Sequence, residues 1–329
     1  MSDKTENEIV SQLSISPSPH LSDATFSTRG MMLDVIIALI PLIGVAVWVF
    51  GVRALLQLVF AAVGCVVAES VFTIMRRKSP PLNDLSALVT ALVLGLSLPV
   101  TAPWYVAIIA SFAAIGLGKI VFGGLGFNIF NPAMVGRAFV MIAFPAMLGA
   151  SAYCIPDSAV SAITQATPLT VMKQQSIVTP LMDLLVGTTN GSLGETSAIA
   201  CLLGGIYLCV RRTASWEIPA GTILSVAVIT FLTSLSGETS GWSVLHSISS
   251  GALLFGAFFI ATDPVTSPLT HLGKFVFGVL FGATVVMIRA LSGYPEGVMF
   301  AVLLANALTP LINRWTIPKP LGGPVPEAK

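Results

Sequence analysis

Charge is the scarcest property of this chain. Lysine, arginine, aspartate and glutamate together make up 9% of its 329 residues, whereas soluble domains carry about 25%. That shortage excludes an ordinary soluble domain, and a net charge of +1 offers no basic footprint for a nucleic-acid partner. Histidine is rare as well: His20, His246 and His271 lie far apart and share no ligand spacing. The four cysteines, Cys65, Cys154, Cys201 and Cys209, form no CxxC pair, so no local metal or disulfide motif is written here. Cys65, Cys201 and Cys209 fall in apolar stretches and read as small buried hydrophobes, although a metal centre shared with another subunit stays open. The chain has no Walker motif, no Gly-x-Gly-x-x-Gly placed after a strand and no nucleophile elbow, which argues against an NADH or ATP site of its own. Residues 1–28 lack the basic-then-apolar order of a secretory signal and read as an extramembrane tail.

What the chain has in abundance is apolar sequence: 55% hydrophobic residues and a mean hydropathy of +0.90. Windows of about 20 apolar residues recur along its length, the pattern of a polytopic membrane protein. The expected fold is all-α with ten spans, near 31–50, 54–75, 84–99, 104–122, 132–150, 196–211, 217–236, 243–262, 271–291 and 295–313. The spans at 84–99 and 196–211 are short and read as tilted, broken or re-entrant. Pro99, Pro103, Pro264 and Pro268 punctuate the ends of the third and eighth. The organisation that follows is a tail (1–30), a first membrane half (31–150), a long polar loop (151–195), a second half (196–313) and a C-terminal tail (314–329).

Lysine and arginine set the orientation. With the N-terminus in the cytoplasm, thirteen of the sixteen fall on or near the cytoplasmic side, and only Arg53, Lys173 and Arg289 face outward. The loop 151–195 is then external. The halves also look related: SALVTALVLGLSLPVTAP (86–103) and SSGALLFGAFFIATDPVTSP (249–268) both end in Pro-Val-Thr-x-Pro. Five spans per half would give an inverted repeat, a common transporter architecture.

Within the polar loop lies Thr164-Gln165-Ala166-Thr167. Alone, such a run means little. It gains meaning from STRGMMLDVIIALIP (27–41), LSALVTALVLGLSLPVTAPWY (85–105), GGLGFNIFNPAMVGRAF (123–139), QATPLT (165–170), GSLGETSAIACLLGGIYL (191–208), ATDPVTSPLTHLGK (261–274) and GYPEGVMFAVLLANALTPLI (293–312). In this order the seven stretches resemble the RnfD subunit family of Rnf-type ion-translocating oxidoreductases and, more distantly, the NqrB subunit of the sodium-pumping NADH:quinone reductase. The resemblance implies a bacterial inner-membrane subunit that works in a complex and couples ferredoxin/NAD electron transfer to Na⁺ or H⁺ movement. It implies partner membrane and peripheral subunits, one of them a second flavin-bearing subunit, and a flavin transferase for maturation.

In that family the second Thr of a Ser/Thr-x-Ala-Thr motif carries FMN through the flavin phosphate. The role maps onto Thr167, with Thr164 and Ala166 as motif positions; Gln165 stands where the family often has Gly. The distant relative adds non-covalent riboflavin as a second expected cofactor. A phosphoester needs a hydroxyl, and an accessible, mobile segment is the expected setting. Pro168 is expected to hold Thr167 extended.

Other residues are candidates for a flavin or ion path. Asn128 and Asn131 lie in GGLGFNIFNPAM (123–134), where Asn131 can also serve as an N-cap with Pro132 at the first helical position. Asp263, before Pro264, reads as a turn or cap residue or as a functional intramembrane carboxylate. Glu195 reads as the N-terminal cap of the sixth span or as a group facing the flavin. Asp34 and Glu69 read as interfacial, with Arg137 able to pair with either or with a flavin phosphate. A different class, a stand-alone inverted-repeat channel or carrier without a redox cofactor, accounts for the same spans and proline pairs.

Overall fold

The computed structural model describes residues 27–78, 82–148, 167–175, 178–235, 243–292 and 296–318. Among the described residues there is no β-strand; the helices are joined by short loops, and one isolated antiparallel bridge links Pro99 to Ser192. In chain order they are α1 (Thr28–Phe50), α2 (Val52–Met75), α3 (Ser86–Ser97), α4 (Trp104–Ile115), α5 (Pro132–Ala143), α6 (Pro145–Leu148), α7 (Pro168–Gln175), α8 (Leu181–Val186) and α9 (Ala198–Val210). There follow α10 (Glu217–Leu235), α11 (Val244–Ser249), α12 (Leu253–Phe255), α13 (His271–Leu291) and α14 (Val298–Thr316). π-Helical turns extend α4 through Gly116–Ile120 and α12 through Gly256–Ile260.

Five of these helices, α1, α2, α10, α13 and α14, are long and apolar enough to cross a bilayer. Four shorter apolar helices, Ser86–Ser97, Trp104–Ile120, Pro132–Ala143 and Ala198–Val210, complete the membrane body. The two spans expected to be short are short. The expected fifth span divides at Pro145, because proline removes a helical donor. The expected eighth divides into α11, α12 and a π-turn; the break falls at Gly251, whose φ of 64° suits glycine.

Sequence chemistry explains the helix limits. Ser27 caps α1, its Oγ accepting from Gly30 N at 3.1 Å, and Gly51 closes that helix at φ 65°. Asn131 caps α5, its Oδ1 accepting from Ala133 N and Met134 N, with Pro132 first in the helix, as Asn-Pro leads one to expect. Ser197, not Glu195, caps α9, accepting from Ala200 N at 3.2 Å.

Packing rests on small residues. Ala54, Ala61, Cys65 and Ala68 line the buried face of α2, which packs on α3 and α4. A Cβ at Gly64 would stand 2.8 Å from Ser111 Cβ of α4, so these backbones approach as small-residue membrane interfaces do. Val59, Val63 and Val67 on the opposite face are exposed, as lipid-facing residues should be.

The alternation of helices sorts the loops to two ends. The starts of α1 and α10, the end of α2, residues 119–131 and the start of α13 share the first end. Residues 98–103, α7, α8, residues 187–197, α11 and the α13–α14 connection share the second.

Candidate functional site

At the second end, Thr167 stands immediately before α7. Its hydroxyl receives the backbone N–H of Thr170 at 3.3 Å and lies 2.9 Å from the Thr170 hydroxyl. Pro168 takes the first position of α7, which proline suits, and Thr167 stands outside that helix as its cap. The accessible setting expected for Thr167 is not what the structure has: the residue is 2% exposed. Lys173 pins the helix from its far side, its Nζ donating to the carbonyls of Arg289, at 3.1 Å, and Ser292. Thr164, Gln165 and Ala166 lie outside the described residues, as does Cys154.

Beside Thr167 is a cavity of about 10 Å³, lined among others by Asn190, Glu195, Gly251 and Glu296. That is room for about one water molecule. Glu195 has no capping duty and turns inward, its Oε1 accepting from Ser192 N at 2.7 Å. Glu296 pairs with Arg137, whose Nη2 lies 3.1 Å from Glu296 Oε2. Arg137 thus joins neither Asp34 nor Glu69. Counting charges along the chain puts it at the cytoplasmic ends of the spans; in the fold its side chain meets Glu296, which lines the Thr167 cavity. Arg289 donates to the carbonyls of Ser247 and Ser250, each at 2.9 Å, while its buried Nε has no acceptor. Burial, and next the neighbouring Glu195, push the Glu296 carboxyl well above its ordinary 4.5.

The first end holds a second group. A cavity of about 100 Å³ is lined by, among others, Met31, Ser86, Lys119, Asn128, Asn131 and Asp263. In the sequence Lys119 is only one of the positive charges that set orientation. In the fold it is 2% exposed and donates to Glu69 Oε1 at 2.5 Å and to Ser86 Oγ at 2.6 Å. Glu69, expected at an interface, is fully buried, because α2 turns it toward the π-turn that carries Lys119. Asp34 keeps an edge position, accepting from Tyr207, Arg211 and Thr213. Asn128 donates to Phe130 O at 3.3 Å. Asn131 ties α5 to the second half: its side chain donates to Ile260 O at 3.3 Å, and its backbone N–H donates to Asn306 Oδ1. Asp263 accepts from Val265 N and Thr266 Oγ1, an Asx-type turn.

These positions can be set beside known proteins. The model of the NQR2, RnfD, RnfE family matches residues 14–322. The chain belongs to this family. Among RnfD-type relatives, it is similar to the D subunit of the Na⁺-translocating ferredoxin:NAD⁺ oxidoreductase complex of Acetobacterium woodii, 39% identical over 308 residues, covering 92% of this chain and 93% of that protein. It is equally similar to the D subunit of the proton-translocating ferredoxin:NAD⁺ oxidoreductase complex of Clostridium ljungdahlii, 39% over 319 residues, covering 94% and 96%. The D subunit of the ion-translocating oxidoreductase complex of Actinobacillus succinogenes is 35% identical over 347 residues, covering 94% and 97%. The family assignment and the apolar helices make this RnfD-type chain a polytopic membrane protein.

Sequence reasoning misses Glu296, Arg289 and Lys119 as members of these clusters. Their signal is present: an ionisable residue in or beside an apolar stretch needs a partner. The partners lie 159 and 50 positions away for the Arg137–Glu296 and Glu69–Lys119 pairs, so no local pattern announces them. Among the described residues no group of three or more His, Cys, Asp or Glu is placed to hold a metal.

Proposed function

We infer that this chain is the RnfD-type membrane subunit of an Rnf-type complex, in which electron transfer between ferredoxin and NAD is coupled to Na⁺ or H⁺ translocation. It would work with the other membrane and peripheral subunits, including a second flavin-bearing one, in a bacterial inner membrane. The termini are cytoplasmic and the Thr167 end is external in this reading, with a five-plus-five inverted repeat as its architecture.

FMN joined through its phosphate to Thr167 Oγ1 is the proposed cofactor, installed by a flavin transferase at the Thr164–Thr167 motif. The observation that carries this reading is a surplus donor at the edge of the Thr167 cavity. Arg289 has a buried Nε without an acceptor, and its Nη2 reaches Gly251 of the Thr167 cavity, 3.2 Å from where a Cβ would stand. Such a donor suits a phosphate oxygen. The cavity is too small for the flavin ring, which would lie outside it. When bound, FMN would supply the electron-carrying chemistry; the protein supplies attachment, charge and exclusion of water.

At the other end, the larger cavity with Asn128, Asn131 and Asp263 is the proposed place for non-covalent riboflavin, whose polar ring edge would meet amides and carboxylate there. Arg137, Glu195 and Asp263 are the residues proposed for the ion path.

Peptide mass spectrometry on the Thr167 segment, from cells with an active transferase, tests the attachment. The expected result is an added FMN mass, with in-gel flavin fluorescence lost completely in Thr167→Ala. An unmodified peptide would overturn it.

A further inference from the structure

Two buried carboxyl oxygens at the Thr167 cavity have no donor: Glu195 Oε2 and Glu296 Oε1. Glu195 is 6% exposed, and both residues line the same small cavity. The two carboxyl groups are neighbours in that cavity, and a hydrogen bond between them would satisfy both oxygens. Two ionised carboxylates are acceptors only and cannot form that bond; one proton between them supplies the missing donor. We propose that Glu195 and Glu296 form a proton-binding site, a carboxyl pair that holds one shared proton beside Thr167.

Charge accounting in the cluster supports a single proton. The groups facing the pair are Arg137, bonded to Glu296, and Arg289. With all four side chains ionised the formal charge is zero, which leaves no room for an added anion. With one shared proton the cluster is positive by one. A phosphodiester on Thr167 carries a single negative charge and returns the sum to zero. The site therefore keeps a buried phosphodiester and two buried carboxyl groups together without unpaired charge, which a low-dielectric setting would otherwise penalise. This second step rests on the flavin reading above; the shared proton does not.

Infrared difference spectroscopy on the purified complex, in H₂O and D₂O, tests both. The expected wild-type spectrum at neutral pH contains a protonated-carboxyl C=O band that shifts in D₂O. That band disappears in Glu195→Gln and in Glu296→Gln alike, because the remaining carboxyl, now facing two arginines alone, ionises. A band that survives either substitution, or no such band in wild type, would overturn the proposal. Should Glu296→Gln fail to assemble, Glu195→Gln carries the test. Thr167→Ala separates the two steps. Without the phosphodiester the band should titrate away at lower pH, by roughly one unit or more, as expected for loss of a neighbouring negative charge. Identical titration in Thr167→Ala and in a wild type shown by mass to carry FMN would sink the charge-compensation step. Identical titration in a wild type shown to lack FMN would refute the flavin reading and leave the proton pair standing.

Discussion

The two ends of this molecule handle buried charge differently. At the first end one lysine meets one carboxylate: Lys119 donates to Glu69 at 2.5 Å, and a serine completes its shell. At the Thr167 end two carboxyl groups face two arginines around a cavity of about one water. In a lone pair, losing either partner leaves the other buried in a low dielectric without an opposite charge. A four-group cluster can rebalance by moving a proton. Burial alone therefore does not set the cost of a charge; the number of ways to neutralise it does.

That contrast can be broken by substitution. Lys119→Met should cost the most, about 3–5 kcal/mol, because it strands Glu69; thermal unfolding followed by size-exclusion chromatography would read this as loss of folded protein. Adding Glu69→Gln should recover most of it. Arg137→Gln should cost less, about 1–3 kcal/mol, since Arg289 and proton uptake still serve Glu296. If Arg137→Gln proves as damaging as Lys119→Met under the same assay, the ends do not differ as argued.

Smaller effects sharpen the comparison. Asn131→Ala removes the α5 cap and the tie to Ile260, and should cost about 1–2 kcal/mol. Ser197→Ala should cost about 1 kcal/mol by uncapping α9, whereas Glu195→Gln should leave helix content unchanged by circular dichroism; the reverse outcome would restore Glu195 as the cap. The smallest expected effect is a pH dependence. Glu296 has its folded-state affinity for protons raised above the ordinary 4.5. Between that value and the raised one the folded chain holds a proton that the unfolded chain releases. Stability should therefore fall as pH rises through that window, then level off. Glu296→Gln should flatten the fall; an unchanged slope in unfolding measurements would remove Glu296 as its source.

Much of the site is legible residue by residue. The Asn131 cap follows from Asn-Pro at a helix start, and Asp263 takes the turn geometry that Asp-Pro favours. Glu195 stands out in the sequence, but its neighbour there is misleading. Ser197 is closer to the first helical donors and takes the cap, which frees the carboxylate for the cavity. Glu69 and Arg137 are harder, because distance along a helix is a poor guide to depth in this membrane body. In a helix as short as the 12-residue α5, a long side chain such as that of Arg137 reaches groups at the Thr167 end.

Composition and residue order are enough to set the class of this protein, because scarce charge and recurrent apolar windows leave water-soluble packing impossible. Motifs kept in order set the family, and residues within three or four positions set the local caps. Which charges meet is a matter for the packed bundle alone. Lys119 with Glu69, Arg137 with Glu296, and Glu195 beside Thr167 are contacts between distant segments. Each depends on the way small-residue helix faces close on one another, a choice that no local pattern records.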